Sequence, residues 1–266
     1  MIEWWQGVIL ALLQGLTEFL PISSSAHLLL PSLLLGWPDQ GLAFDVAVHV
    51  GTLLAVLWYF RATLGELLRG TLLAVHDRKM NPAAQDVLYL AVASVPVAVT
   101  GFLLNAHMDR LRTVPVIIAT TVVFALLLLL ADRRAGTAGG GRVSSIGAAL
   151  FVGMAQALAP VPGTSRSGIT ITAGLLLGLS REAASRFAFL LAIPVIAGAG
   201  LLKTTELLQA TTPVPWTTLL LGTSVAGLSA YACIALFLRL IDRIGMRPFV
   251  IYRLLLGAAL LALWWR

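Results

Sequence analysis

The stretch Gln14-Gly-Leu-Thr-Glu18-Phe-Leu-Pro21-Ile-Ser23-Ser24-Ser25-Ala-His27 sets a carboxylate, an imidazole, an amide and three serine hydroxyls inside sequence that otherwise reads as membrane hydrocarbon. Polar groups are costly in that setting and mark functional sites by default. Around them, residues 7–20 are apolar but stop at Pro21, too short a run to cross a bilayer. Residues 22–36 form a second short element that ends at Gly36. The pair reads as two half-helices that enter the membrane and return to the same side.

The rest of the chain supports that reading. Of 266 residues, 59% are hydrophobic and 11% charged, with a mean hydropathy of +0.93. A soluble domain carries roughly 25% charged residues, so this is an integral membrane protein. The net charge of +6 then speaks of loop topology and not of nucleic acid. A lone cysteine, Cys233, excludes an intrachain disulfide and a thiolate metal cluster. The start, Met-Ile-Glu-Trp-Trp-Gln, lacks the basic region of a signal peptide and reads as mature chain.

Residues 42–60, 87–106 and 114–131 are long enough to span, with a polar loop over 61–86. A Gly-rich basic linker follows at 132–144. The plan then repeats. Residues 145–160 are apolar and end in Pro160 and Pro162. Pro162-Gly163-Thr164-Ser165-Arg166-Ser167-Gly168-Ile169-Thr170 leads into Leu-Leu-Leu-Gly178, and spans follow at 187–205, 217–238 and 248–265. The expected fold is therefore an all-α integral membrane protein forming one membrane domain. It is an inverted-topology repeat over 1–131 and 145–266, each half contributing two re-entrant half-helices and three spans, about six full crossings in all. Loops 61–86, 132–144, 180–186 and 239–247 hold twelve Lys/Arg against four on the opposite side, which places them in the cytoplasm and opens the first half-helix pair outward.

Gln14 and Glu18, four apart, share a helix face. Glu18 suits a divalent cation, an imidazole to orient, or general-base work. His27 lies just past the Pro21 break, where unwound N–H groups and the hydroxyls of Ser23, Ser24 and Ser25 make an anion site. In the second half Arg166 offers a planar donor fork for phosphate, flanked by Thr164, Ser165, Ser167 and Thr170, with Gly163 and Gly168 allowing close backbone approach. The plainer alternative is an Arg166–Glu18 ion pair that only locks the halves together. Cys233-x5-Arg239 has thiol-phosphatase spacing but no glycines to shape a phosphate loop, and Gly163 to Gly168 has nucleotide-loop spacing with Ile169 where Lys is required. Asp45 and His49 read as a supporting pair within a span; His76 and His107 read as solvated loop residues.

At these residues the chain resembles the undecaprenyl-diphosphatase (bacitracin-resistance) family of bacterial inner-membrane proteins. The family pattern Glu/Gln-x-x-x-Glu, Pro-x-Ser-Ser-x-x-His and Pro-Gly-x-Ser-Arg-Ser-Gly stands here as Gln14…Glu18, Pro21…His27 and Pro162…Gly168. The likeness continues through Ser180…Pro194 and Pro248…Arg253. It implies hydrolysis of undecaprenyl diphosphate, recycling of the lipid carrier for wall synthesis, bacitracin resistance, an outward-facing site, dependence on a divalent cation (Mg2+ or Ca2+, held by Glu18 and Gln14) and a homodimer. Gln14 replaces a frequent Glu and leaves one carboxylate fewer for metal. On that reading Glu18, His27, Arg166 and Ser24 are catalytic. Gln14, Ser23, Ser25, Gly163, Thr164, Ser165, Ser167 and Thr170 bind substrate. His27 moves a proton or attacks phosphorus, and Ser24 is a rival nucleophile or an oxygen contact. The main alternative is a polyprenyl-phosphate transporter or flippase, which shares the architecture but has no need of both Glu18 and His27.

Overall fold

A computed structural model describes residues 2–104, 108–134, 140–208 and 216–265. These residues form helices: α1 Trp4–Thr17, α2 Ser24–Leu35, α3 Gly41–Tyr59, α4 Arg61–Asp77, α5 Pro82–Leu104, α6 Met108–Leu111, α7 Val114–Arg134, α8 Ile146–Gln156, α9 Arg166–Leu176, α10 Arg181–Leu208, α11 Trp216–Ile244 and α12 Arg247–Trp264. Six of them, α3, α5, α7, α10, α11 and α12, are long and apolar enough to cross a membrane. Their outward faces carry exposed Leu54, Phe102, Leu201, Leu228 and Leu255, which in a bilayer meet lipid. The protein is a multi-pass membrane protein, as its composition requires.

α1–α2 and α8–α9 are short hairpins broken at Pro21 and Pro162. Trp5 and Trp37, at the feet of the first hairpin, stack edge to face with centroids 5.2 Å apart, so both feet lie at one end of the molecule. The feet of the second are tied by Gly140 N–H donating to the Gly178 carbonyl (2.9 Å) and Ser180 N–H to the Gly140 carbonyl (3.2 Å). α3 runs from the first pair of feet to the end where Arg186 lies 5.4 Å over the Phe60 ring. The hairpins thus enter from opposite ends and meet tip to tip. There Ser167 Oγ donates to the Leu20 carbonyl at 2.8 Å.

The loops that the basic residues assign to one side do share one end. Arg181 Nε reaches Asp132 Oδ1 at 2.6 Å, Met246 N–H donates to Asp132 Oδ2, and Glu182 N–H donates to Asp242. One expectation needs correcting: most of 61–86 is helical, as α4 and the start of α5. Leu64, Leu67, Leu68 and Leu72 recur at helical spacing there among Arg61, Glu66 and Arg69, the pattern of a helix at a polar boundary, and none of α4 is buried. His76 therefore sits in the last turn of α4, exposed. His107, part of the 132–144 linker and Arg266 lie outside the described residues. Cys233 stands in unbroken α11, its thiol directed to the Leu16 carbonyl.

Close packing rests on small residues, as membrane interiors require. A Cβ on Gly51 would lie 2.3 Å from the Thr223 carbonyl oxygen of α11, and one on Gly153 would lie 2.8 Å from the Ala93 carbonyl of α5. Gly65 on α4 faces open space. Gly51→Val is expected to lower stability by about 1–3 kcal/mol through overpacking, whereas Gly65→Ala is expected to raise it by up to about 1 kcal/mol. Thermal unfolding of the detergent-purified variants checks both.

Candidate active site

The two breaks share an unusual backbone. Ser23 (φ 73°) and Ser165 (φ 69°) occupy equivalent places just before α2 and α9, in a region that side chains other than glycine seldom adopt. In each, the serine hydroxyl lies near that of the serine two residues on: Ser23–Ser25 at 3.2 Å and Ser165–Ser167 at 3.3 Å. Ser165 Oγ also accepts the Gly168 N–H, a cap on α9. Strain at two matching points is retained where the surrounding structure enforces it, typically at functional sites.

Glu18, the C-cap of α1, is the centre of the junction. Its Oε2 accepts Ser24 Oγ–H at 2.6 Å and Gln14 Nε2–H at 3.0 Å. Its Oε1 accepts Arg166 Nη2–H at 3.0 Å. The ion pair that the sequence offers as the plainer alternative therefore exists. It is not sealed in the core, however, because both partners line a cavity of about 620 Å3. Arg166 Nη1 donates to the Ala188 carbonyl (3.1 Å), and its guanidinium lies 5.8 Å over the Phe19 ring. Of its five N–H donors these contacts engage two, which leaves others for a ligand.

Glu18, Ser23, Ser24, Ser25, Ser165 and Arg166 line the cavity, so two helix N-termini open onto it. From there it runs between α5 and α10, past Val97, Gly101 and Phe102 on one wall and Val195, Gly198 and Leu202 on the other. These belong to the C-terminal parts of both helices, so the cavity leads away from the end that carries the basic loops.

The other expected residues lie behind this wall. His27 is buried and does not line the cavity. Its Nδ1–H donates to the Ser23 carbonyl at 2.7 Å, and its Nε2 pairs with Tyr252 Oη at 2.5 Å, so both ring nitrogens are engaged. Thr170 turns its hydroxyl back to the Arg166 carbonyl, Ser167 to Leu20, and the carbonyls of Gly163 and Thr164 are taken by Arg253. Gln14 is buried, and its Oε1 is without a hydrogen-bond partner among the described residues.

Two residues count for more than their sequence context suggests. His49 lines the cavity in place of His27. Its Nδ1–H donates to the Asp45 carbonyl (2.7 Å), and its Nε2 lies 4.0 Å from Glu18 Oε2. Arg253 is fully buried and bonded to the carbonyls of both breaks. A polar residue inside an apolar span was the signal available for each.

The described residues hold no group of three or more His, Cys, Asp or Glu suited to a metal ion. One carboxylate, an unpartnered amide oxygen on Gln14 and serine hydroxyls are all oxygen donors. Such a set fits a hard cation bound through one carboxylate together with substrate phosphates, and does not fit a closed protein cage.

A profile of the family described as Bacitracin resistance protein BacA matches residues 7–259. The undecaprenyl-diphosphatase of Alcanivorax borkumensis is 54% identical, covering 97% of this chain and 98% of that protein. The undecaprenyl-diphosphatase of Alteromonas mediterranea is 53% identical over 96% of each chain, and that of Campylobacter concisus 49% identical over 96% of this chain and 97% of its own. With the match running through both hairpins and all six spans, the chain belongs to the bacitracin resistance protein BacA family.

Proposed function

We propose that this protein hydrolyses undecaprenyl diphosphate to undecaprenyl phosphate and inorganic phosphate, recycling the lipid carrier of cell-wall synthesis. The observation that carries the reading is the placement of Glu18 between the Ser24 hydroxyl and the Arg166 guanidinium on the wall of a cavity that continues as an apolar cleft. A diphosphate needs the first part and a prenyl chain the second. The names of the relatives accord with it. The inverted arrangement of the two halves, a place in the inner membrane and a cavity mouth on the outer side belong to the same reading. They are supported by the opposed hairpins and by the basic loops at the far end.

The chemistry follows from the contacts. Arg166 and the N-termini of α2 and α9 hold the diphosphate and stabilise charge building on its oxygens. Ser24 Oγ attacks the terminal phosphorus while its proton passes to Glu18 Oε2. The bond from phosphorus to the bridging oxygen breaks, and Glu18 returns the proton to the departing undecaprenyl phosphate. Water then attacks the phosphoseryl group, one of its protons goes to Glu18 and on to Ser24 Oγ, and inorganic phosphate leaves. His49 flanks the same carboxylate and supports its proton exchange with cavity water. Ser24 is favoured over His27 as the nucleophile because it faces the cavity and already donates to the base, while the imidazole of His27 is spent on Ser23 and Tyr252. Glu18 and Gln14 would hold the divalent cation, which when bound neutralises phosphate charge.

Ser24→Ala and Glu18→Gln are each expected to lower kcat by about 10³-fold or more, the scale for an activated nucleophile and its base. Arg166→Ala is expected to lower kcat and raise KM together. Phosphate release from undecaprenyl diphosphate by detergent-purified protein reads all three, and a Ser24→Ala variant at near-normal rate ends the serine mechanism. Chelation is expected to abolish phosphate release and re-addition of Mg2+ or Ca2+ to restore it; full activity in chelator removes the metal from the scheme.

A further inference from the structure

We infer that Tyr252 and Arg253 of α12 are positioning residues: together they set the spacing of the two half-helix starts, and so of Ser24, Glu18 and Arg166, without touching substrate. The inference rests on the reading of the site given above.

Arg253 is completely buried, and among the described residues its hydrogen bonds all go to backbone carbonyls. Nε donates to Thr121 (3.1 Å). Nη1 donates to Pro21 (3.1 Å) and Thr164 (3.2 Å). Nη2 donates to Gly163 (2.8 Å), Thr164 (3.3 Å) and Thr120 (3.4 Å). A buried guanidinium loses several kcal/mol of hydration, and here the oxygens of three chain segments replace the lost water. Those segments are the first break, the second break and the middle of α7. Pro21 lies just before the strained Ser23; Gly163 and Thr164 lie just before Ser165 and Arg166. These are backbone oxygens that a helix would have satisfied and that lipid does not.

Tyr252 completes the arrangement. Its hydroxyl holds His27 Nε2, and His27 Nδ1–H holds the Ser23 carbonyl. Consecutive residues of α12 therefore fix the carbonyls on either side of Ile22, and one of them also fixes the opposite hairpin. His27 joins this clamp as an intermediary. A lysine cannot replace Arg253, because an ammonium is a single point and five oxygens around a plane need the fork. The neighbourhood is built to admit that fork: a Cβ on Gly168 would lie 3.2 Å from Arg253 Nη1.

The site tolerates little displacement, since Ser24 and Arg166 reach one carboxylate at 2.6 and 3.0 Å. A shift of about 1 Å in such a geometry costs on the order of 10²-fold in rate. The test measures kcat, KM and thermal midpoint for Arg253→Lys and Tyr252→Phe in detergent, well below each midpoint, with undecaprenyl diphosphate. For Arg253→Lys the expected result is a kcat loss of about 10²-fold with KM changed far less. For Tyr252→Phe it is a smaller loss of the same kind, about 10-fold, at a nearly unchanged midpoint. In a Ser24→Ala background neither substitution is expected to lower the residual rate further, because there is no nucleophile left to misplace. A merely structural role would lower the midpoint and leave kcat of the folded protein alone. That outcome in either variant, or full additivity with Ser24→Ala, overturns the inference. If Arg253→Lys does not fold, Tyr252→Phe decides alone. Wild-type protein that releases no phosphate defeats the functional reading instead, whereas active wild type with wild-type-like variants defeats only the clamp.

Discussion

A helix broken at membrane depth leaves carbonyl and N–H groups that hydrocarbon cannot satisfy, and every other feature of this protein answers to that constraint. Two such breaks occur, at Pro21 and Pro162. The residues that start the helices after them line a cavity, and their carbonyls turn inward to Arg253. The same guanidinium therefore satisfies both breaks and joins them. With the breaks held tip to tip, Glu18 from one hairpin and Arg166 from the other arrive at contact distance. The surrounding spans enclose this junction through close backbone approaches such as Gly51 on Thr223.

The Glu18–Arg166 pair gives the cavity floor its electrical character. An isolated carboxylate or guanidinium there would be strongly disfavoured, so each makes the other tenable. The pair also leaves spare N–H donors on Arg166 and keeps a serine hydroxyl on Glu18 beside the cavity. Gln14 extends the arrangement by a neutral hydrogen bond, which steadies the carboxylate without adding a second negative charge for the substrate to face.

Much of this was legible in the chain. Apolar run lengths gave the spans, the prolines gave the breaks, and the rarity of charge in such sequence drew attention to Glu18 and Arg166. What escaped has a common cause. Arg253 bonds to carbonyls up to 232 residues away, and a backbone oxygen has no letter in a sequence. His27 and His49 could not be ranked, because spacing puts His27 beside the break while side-chain direction turns it toward Tyr252 on another helix. His49, one span away in sequence, reaches the carboxylate only after α3 packs beside α1. The polar 61–86 segment hid a helix because charge density there outweighed its leucine spacing.

The matched serines at the two breaks carry a last consequence. Ser23 and Ser165 repeat, as do Gly36 and Gly178 at the hairpin ends, so the scaffold is a pair. The reactive groups are not. In the register these residues define, Glu18 stands opposite Pro160, and Ser24 stands opposite Arg166. One half carries Glu18 and Ser24, the other carries Arg166. The two hairpins match in shape and differ in charge: two copies of either one would set like against like and lack the Glu18–Arg166 contact that joins them.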